Sequence, residues 1–168
     1  LNPMSFLRSE DFLYILTVCC INDYPYTPFA DAFHTMRSML LPVLYLMGSE
    51  VPKADVYHAI CTGYGGLLAC LGGHVYKKKV LLTEHGIYTR EREEEIIRAK
   101  WVQPAFKKQW ISFFYMLSDI IYTRAFLVSA LFTNAMHAQI QMGCDKEKCR
   151  VVENGINYER LSPIPLKE

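Results

Sequence analysis

Val80-Leu81-Leu82-Thr83-Glu84-His85-Gly86-Ile87-Tyr88-Thr89-Arg90-Glu91-Arg92 is the stretch from which the fold is read. Its first three residues are apolar without a break, as in a strand buried on both faces. The run ends in a Thr-Glu-His-Gly turn and then in a densely charged segment. Open parallel α/β sheets bind their ligands in the crevice outside the carboxyl ends of the strands. Here a carboxylate, an imidazole, a glycine, a phenol and two guanidinium groups follow such an end directly. Burying that set without partners would be costly, so the cluster is expected to line a solvent-filled cleft.

The same punctuation recurs on both sides. Upstream, Ala54 to Ile60 reads as a strand and Thr62-Gly63-Tyr64-Gly65-Gly66 as a glycine-rich turn. Leu67 to Leu71 opens a helix that Gly72-Gly73 is expected to close. With the strand at Val80, this makes a unit of about 30 residues, the size of a right-handed parallel crossover. Downstream, Arg90 to Lys100 reads as a charged helix, and Pro104 starts a long one reaching Tyr122 or Arg124. Phe126 to Leu131 is a second continuous apolar strand, Asn134 to Met142 a helix stopped by Gly143, and Cys149 to Val152 a short strand before an Asn154-Gly155 turn.

Nearer the N-terminus, Ser9 caps a helix over Phe12 to Cys20. Asp31 to Met47 carries apolar residues at helical spacing, with a kink or split expected at Pro42. Four strands alternating with helices, each strand apolar on both faces, predict an α/β fold: a Rossmann-like parallel sheet with helices on both faces.

A hydrophobic content of 51% excludes disorder, and 168 residues support one domain with a core. Residues 1–160 are assigned to that domain and 161–168, with two prolines, to a linker. A formal net charge of +1 gives no bulk attraction to nucleic acid, which is not expected as a partner. Asp119 and Arg124 interrupt the most apolar window, Phe113 to Phe132, and argue against a membrane span. Five of the six cysteines lie in or beside apolar runs, as buried free thiols do, and reduced thiols point to the cytoplasm. Cys144-x4-Cys149 lacks the second ligand pair that a zinc site needs, so no metal is expected.

Three ordered matches resemble the N-terminal half of family 4 retaining glycosyltransferases, which have the two-domain GT-B fold. The first joins Asp55-Val56-Tyr57-His58, Gly63-Tyr64-Gly65-Gly66-Leu67-Leu68 and Leu82-Thr83-Glu84-His85-Gly86. The second is Ala125 to Leu131 with the helix through Asn134 and Gln139 to Gly143. The third runs from Lys148 to Asn157 and ends in Leu161-Ser162-Pro163. Within that family, Glu84 to Arg92 and the helical region with Phe33, Thr35, Arg37 and Pro42 are most similar to PelF-type enzymes of exopolysaccharide synthesis.

The resemblance implies a partial, acceptor-side domain of an enzyme that moves a sugar from a nucleotide-sugar donor, a UDP-sugar, to a growing exopolysaccharide or other glycan. It implies no further cofactor. The family's opening strand with its Gly-Gly loop and its donor-binding C-terminal domain are not found in these residues, so the chain alone is expected to be inactive. The implied partners are that donor domain, the glycan acceptor and a membrane-bound polysaccharide synthesis complex. By the same resemblance His85 is the catalytic residue, hydrogen-bonding the donor sugar. Thr62, Gly63, Tyr64, Glu84, Gly86, Tyr88, Arg90, Glu91 and Arg92 are substrate-binding: Glu84 orients His85 or accepts from an acceptor hydroxyl, Tyr64 and Tyr88 stack on sugar, and Arg90 and Arg92 hold an anionic group.

Two other classes are weighed. A non-catalytic doubly wound binding or scaffold module fits the same fold, because fold does not fix function. A hydrolase built on Glu84 and His85 is disfavoured: neighbouring residues seldom form an acid-base pair, and no Gly-x-Ser-x-Gly elbow occurs. On purely structural grounds, Arg90 to Arg98 is a solvated helix face with pairs such as Glu94 and Arg98.

Overall fold

Four parallel strands lie side by side in chain order: β1 (Val56–Ala59), β2 (Lys79–Glu84), β3 (Leu127–Ala130) and β4 (Cys149–Val151). The structure is a computed structural model describing residues 2–156 and 158–163. Asn157 and the greater part of the expected linker, residues 164–168, lie outside the described residues. The α/β class read from the sequence holds: a parallel, Rossmann-like sheet flanked by helices.

Register decides which side chains share a face. Tyr57 pairs with Val80, Leu82 with Val128 and Glu84 with Ala130, so all six project to the same side. The crossover helices α4 (Tyr64–Tyr76), α6 (Pro104–Arg124) and α7 (Thr133–Gln141) cover that side. Gly72 and Gly73 of α4 lie against Tyr57 and Val80, while Tyr122 of α6 and Gln139 of α7 both reach Glu84.

The strands are not apolar on both faces, as the sequence suggested. β1 alternates exposed and buried, with Val56 48% exposed and His58 open to solvent. A polar ladder crosses this second face, from His58 Nε2 to Thr83 Oγ1 (2.8 Å) and on to Ser129 Oγ (2.7 Å).

Before the sheet come α1 (Pro3–Leu7), α2 (Glu10–Asp23) and α3 (Phe29–Met47). Ser9 caps α2 as expected, its hydroxyl accepting from the Phe12 N–H at 3.1 Å. α3 runs through Pro42 without dividing. Proline removes one N–H there, and the packing of Met39, Leu40, Leu41, Val43 and Leu44 into the core holds the helix together.

α4 likewise runs through Gly72-Gly73, where a stop was expected. Those glycines serve packing: a Cβ on Gly72 would sit 2.7 Å from two carbons of the Tyr57 ring. The helix ends instead at Lys77, in the left-handed conformation at φ 52°.

The long α6 joins two cores. Its stripe at positions 106, 110, 113, 114 and 117 enters an upper cluster with Leu7, Phe12, Ala32, Met39 and Ile96. Ile121 and Tyr122 enter a lower cluster against the sheet. α5 (Tyr88–Arg98) packs antiparallel to α6 through Thr89–Ser118, Glu93–Tyr115 and the Ile97 carbonyl with Lys107. With 21 residues α6 is about 32 Å long, and it ends where β3 begins. Strands of six residues or fewer span about 20 Å at most. The α5–α6 hairpin therefore rises past the carboxyl ends of the strands and walls the crevice there. α8 (Tyr158–Leu161) closes the described chain.

Candidate functional site

Parallel pairing brings the residues after β1, β2 and β3 to one edge of the sheet. The singled-out cluster divides there into a buried half and an exposed half. Glu84 is the last residue of β2 and only 1% exposed; Thr62, after β1, is fully buried. The expectation that the whole cluster faces a cleft is therefore corrected for these two.

Glu84 is buried because its carboxylate is supplied with donors. It accepts from the Tyr122 hydroxyl at 2.7 Å, Gln139 Nε2 at 3.1 Å and the Thr62 hydroxyl at 3.5 Å. It also accepts from the backbone N–H of Tyr88, the first residue of α5. Ile87, the residue before that helix, offers no side-chain cap, so Glu84 supplies one from the strand end. Burial pushes its carboxyl up, against the four donors that pull it down. Tyr122 is raised in turn, by burial and then by the Glu84 carboxylate, and so remains a donor.

The polar chain continues inward. Ser118 donates to Thr62 Oγ1 at 3.0 Å and, its one proton so used, accepts from the Thr89 hydroxyl at 2.6 Å. Thr62, Glu84, Thr89, Ser118 and Gln139 are the buried polar residues that tie β1, β2, α5, α6 and α7 at this edge. Gln139 Oε1 is the one polar side-chain atom of this group without a partner among the described residues.

Gly63 sits beside this knot at φ 79°, and a Cβ there would lie within 2.9 Å of two ring carbons and the hydroxyl oxygen of Tyr88. Tyr88 is half-buried, edge-on to Phe114 at 5.9 Å, with the Arg92 guanidinium 5.4 Å from its ring centre. Tyr64 is half-buried against the upper core. Both phenols assigned to sugar stacking are thus half-buried, each with one side packed against the upper core. Arg92 pairs with Glu95 at 2.5 Å, and its Nε is buried without a partner among the described residues.

His85, Gly86, Arg90 and Glu91 are the exposed half. The Glu91 carboxylate folds back onto Gly86, the one group that a Cβ at Gly86 would meet. That side chain is flexible, so internal packing does not demand a glycine at 86. Arg90 makes no ion pair or hydrogen bond among the described residues. With Ile87, Glu91 and Glu94 it lines a shallow hollow of about 250 Å³. The i,i+4 pair expected on the outer face forms, Arg98 to Glu94 at 3.5 Å.

Sequence reading missed Thr89, Ser118, Tyr122 and Gln139. They lie far apart in the chain and meet only through the crossovers. A buried-side spacing of Ala135 and Gln139 on α7 was the one local signal. Cys144 and Cys149 are buried with their sulfurs 3.4 Å apart, and burial pushes the Cys144 thiol up to about 12. Among the described residues no three His, Cys, Asp or Glu side chains gather as metal ligands would, and no helix is long and apolar enough to cross a membrane.

Residues 1–147 match the model of a family described as a domain of unknown function (DUF3492). No curated protein and no solved structure matches the chain.

Proposed function

The chain belongs to the DUF3492 family, and we propose from this that it forms the acceptor-side portion of a nucleotide-sugar-dependent glycosyltransferase. The family's domain is found in the N-terminal portion of GT4-type glycosyltransferases. One observation carries the reading to particular residues. His85 and Gly86 stand exposed at the carboxyl end of β2, while Glu84 immediately before them is buried and held by four donors. An exposed imidazole on a clamped loop is what a site needs to aim a hydrogen bond without paying to order it at each turnover.

In this reading His85 hydrogen-bonds a hydroxyl of the donor sugar, and Gly86 lets that sugar approach the backbone closely. Glu84 acts through the loop rather than on substrate. Arg90, exposed and without an ion pair or hydrogen bond among the described residues, meets an anionic or hydroxyl group of the acceptor. Tyr88 and Arg92 shape the wall and hold the Gly63 turn. The finer assignment is a PelF-like retaining enzyme in the cytoplasm, taking a UDP-sugar to a growing exopolysaccharide, with a donor domain and a polysaccharide synthesis complex as partners.

The test is sugar transfer from UDP-glucose by the complete enzyme carrying His85→Ala. The expected result is a fall in kcat/KM on the order of a hundredfold, with thermal stability within about 0.5 kcal/mol of wild type because His85 is exposed. Transfer near the wild-type rate would remove His85 from the site.

A further inference from the structure

Both tryptophans of the chain line one hollow far from His85 along the α5–α6 hairpin. Trp101 lies in the loop at the hairpin tip and is 65% exposed; Trp110, on α6, is buried and meets it edge to face at 5.7 Å. Across from them the first turns of α3 supply Asp31, His34 and Thr35, and Gln103 completes the rim. The hollow measures about 180 Å³. That is below the roughly 300 Å³ at which sites for larger ligands begin, so it takes a single ring.

Ser38, also in the lining, spends its hydroxyl on the His34 carbonyl at 2.8 Å, but three other polar side chains are unspent. The side chains of Asp31, Thr35 and Gln103 make no hydrogen bond or ion pair among the described residues. Asp31 is half-buried in the first turn of α3 without capping it, and Gln103 precedes α6 without capping that helix. A carboxylate and an amide provide fixed acceptors and a donor, and an indole provides an apolar platform. The single formal negative charge faces the positive ends of two helices, which leaves the hollow suited to neither a phosphate nor an ammonium group. A neutral ring with one apolar C–H face and a rim of hydroxyls matches all of these features.

We propose that this hollow is a carbohydrate subsite, binding one hexopyranose unit of a neutral oligosaccharide through Trp101, Asp31 and Gln103. It extends the glycosyltransferase reading, on which it rests for its purpose, by giving a long acceptor a second hold away from the crevice.

Since no other tryptophan is present, indole fluorescence and the two indole N–H resonances report on this hollow alone. Cellohexaose and maltohexaose are titrated into the purified protein. The expected result is a saturable blue shift for at least one of them, with a dissociation constant on the order of millimolar, as befits a one-ring contact. Trp101→Ala should abolish the shift of the Trp110 indole N–H, and Asp31→Asn should weaken binding at least fivefold. Trp101 is mostly exposed, so its variant should keep the wild-type circular dichroism. Unchanged indole signals with both sugars, or a response that survives Trp101→Ala, overturns the subsite. Resonance shifts confined to His85 and Gly86 overturn it as well, while leaving the transferase reading intact. Loss of transfer in His85→Ala bears on that reading only.

Discussion

Replacing Glu84 separates a structural carboxylate from a reacting one. Glu84→Ala removes the acceptor of Tyr122, Gln139, Thr62 and the Tyr88 N–H together. Leaving such buried groups unpaired costs about 1–3 kcal/mol each before relaxation. Partial repair by rotation of the two hydroxyls brings the expected loss to about 3–5 kcal/mol, or about 6–20 °C in melting temperature for a chain of this size. Glu84→Gln keeps the shape and one acceptor. Its new N–H2 needs an acceptor in turn, and Gln139 Oε1 is buried without a partner among the described residues. A flip of the Gln139 amide meets that need but gives up its Nε2 bond to the Ser129 carbonyl, so Glu84→Gln should cost about 1–2 kcal/mol at pH 7, less than the alanine variant.

The pH dependence gives a second readout. Burial holds the Glu84 carboxyl above its ordinary 4.5 in the folded chain. Its contribution is therefore full below pH 4.5 and declines as pH rises through the folded value. Glu84→Gln lacks this component, so its deficit against wild type should be larger at pH 4 than at pH 7. Urea unfolding followed by circular dichroism at both values measures it. Equal losses for the alanine and glutamine variants, or a Glu84→Ala cost below about 1 kcal/mol, would refute the account of a buried capping carboxylate.

Three further outcomes are expected. Gly72→Ala should destabilise by about 1–3 kcal/mol by driving α4 off the Tyr57 ring, against the gain of about 1 kcal/mol that helix propensity alone favours; chemical denaturation gives the sign. Thr89→Val removes one of the two hydroxyl partners of the buried Ser118, the one at 2.6 Å, and should cost about 0.5–1.5 kcal/mol, with a coupling above about 0.5 kcal/mol to Ser118→Ala in a double-mutant cycle. With its thiol pushed up to about 12, Cys144 should resist iodoacetamide at pH 7 in the folded protein and react in urea, as peptide mass mapping would show.

The elements were legible where local chemistry decides them. Ser9 at its cap, Pro104 at the first turn of α6 and the apolar run before Glu84 each fix an element by short-range rules, and each stands where read. Gly72-Gly73 misled because glycine has two uses. Its rarity in helices reads as a stop, yet a helix packed tightly on a sheet needs the missing Cβ. Pro42 misled in the same direction, since packing against the core outweighs one lost hydrogen bond. The alternating burial of β1 was hidden because His58 and Val56 are both common in strands, and only register shows which neighbours they face.

At the site, the decisive ambiguity was between adjacent residues. Glu84 and His85 look alike in sequence, two titratable groups at a strand end. Strand pleat puts successive side chains on opposite faces, so one of the two was bound to turn toward the helices. Which one depended on Tyr122 and Gln139, 38 and 55 positions away, arriving with donors on the inner side. A carboxylate can be buried where four donors converge; an imidazole offers them nothing comparable, since it carries at most one acceptor. The donors thus select Glu84 for the interior, and the pleat then sends His85 outward. The loop that places His85 at the crevice and the knot that stabilises the sheet edge are one device. On the glycosyltransferase proposal, a change that loosens the knot without unfolding the chain, Glu84→Gln in the complete enzyme, should therefore lower sugar transfer chiefly through kcat while His85 itself stays intact.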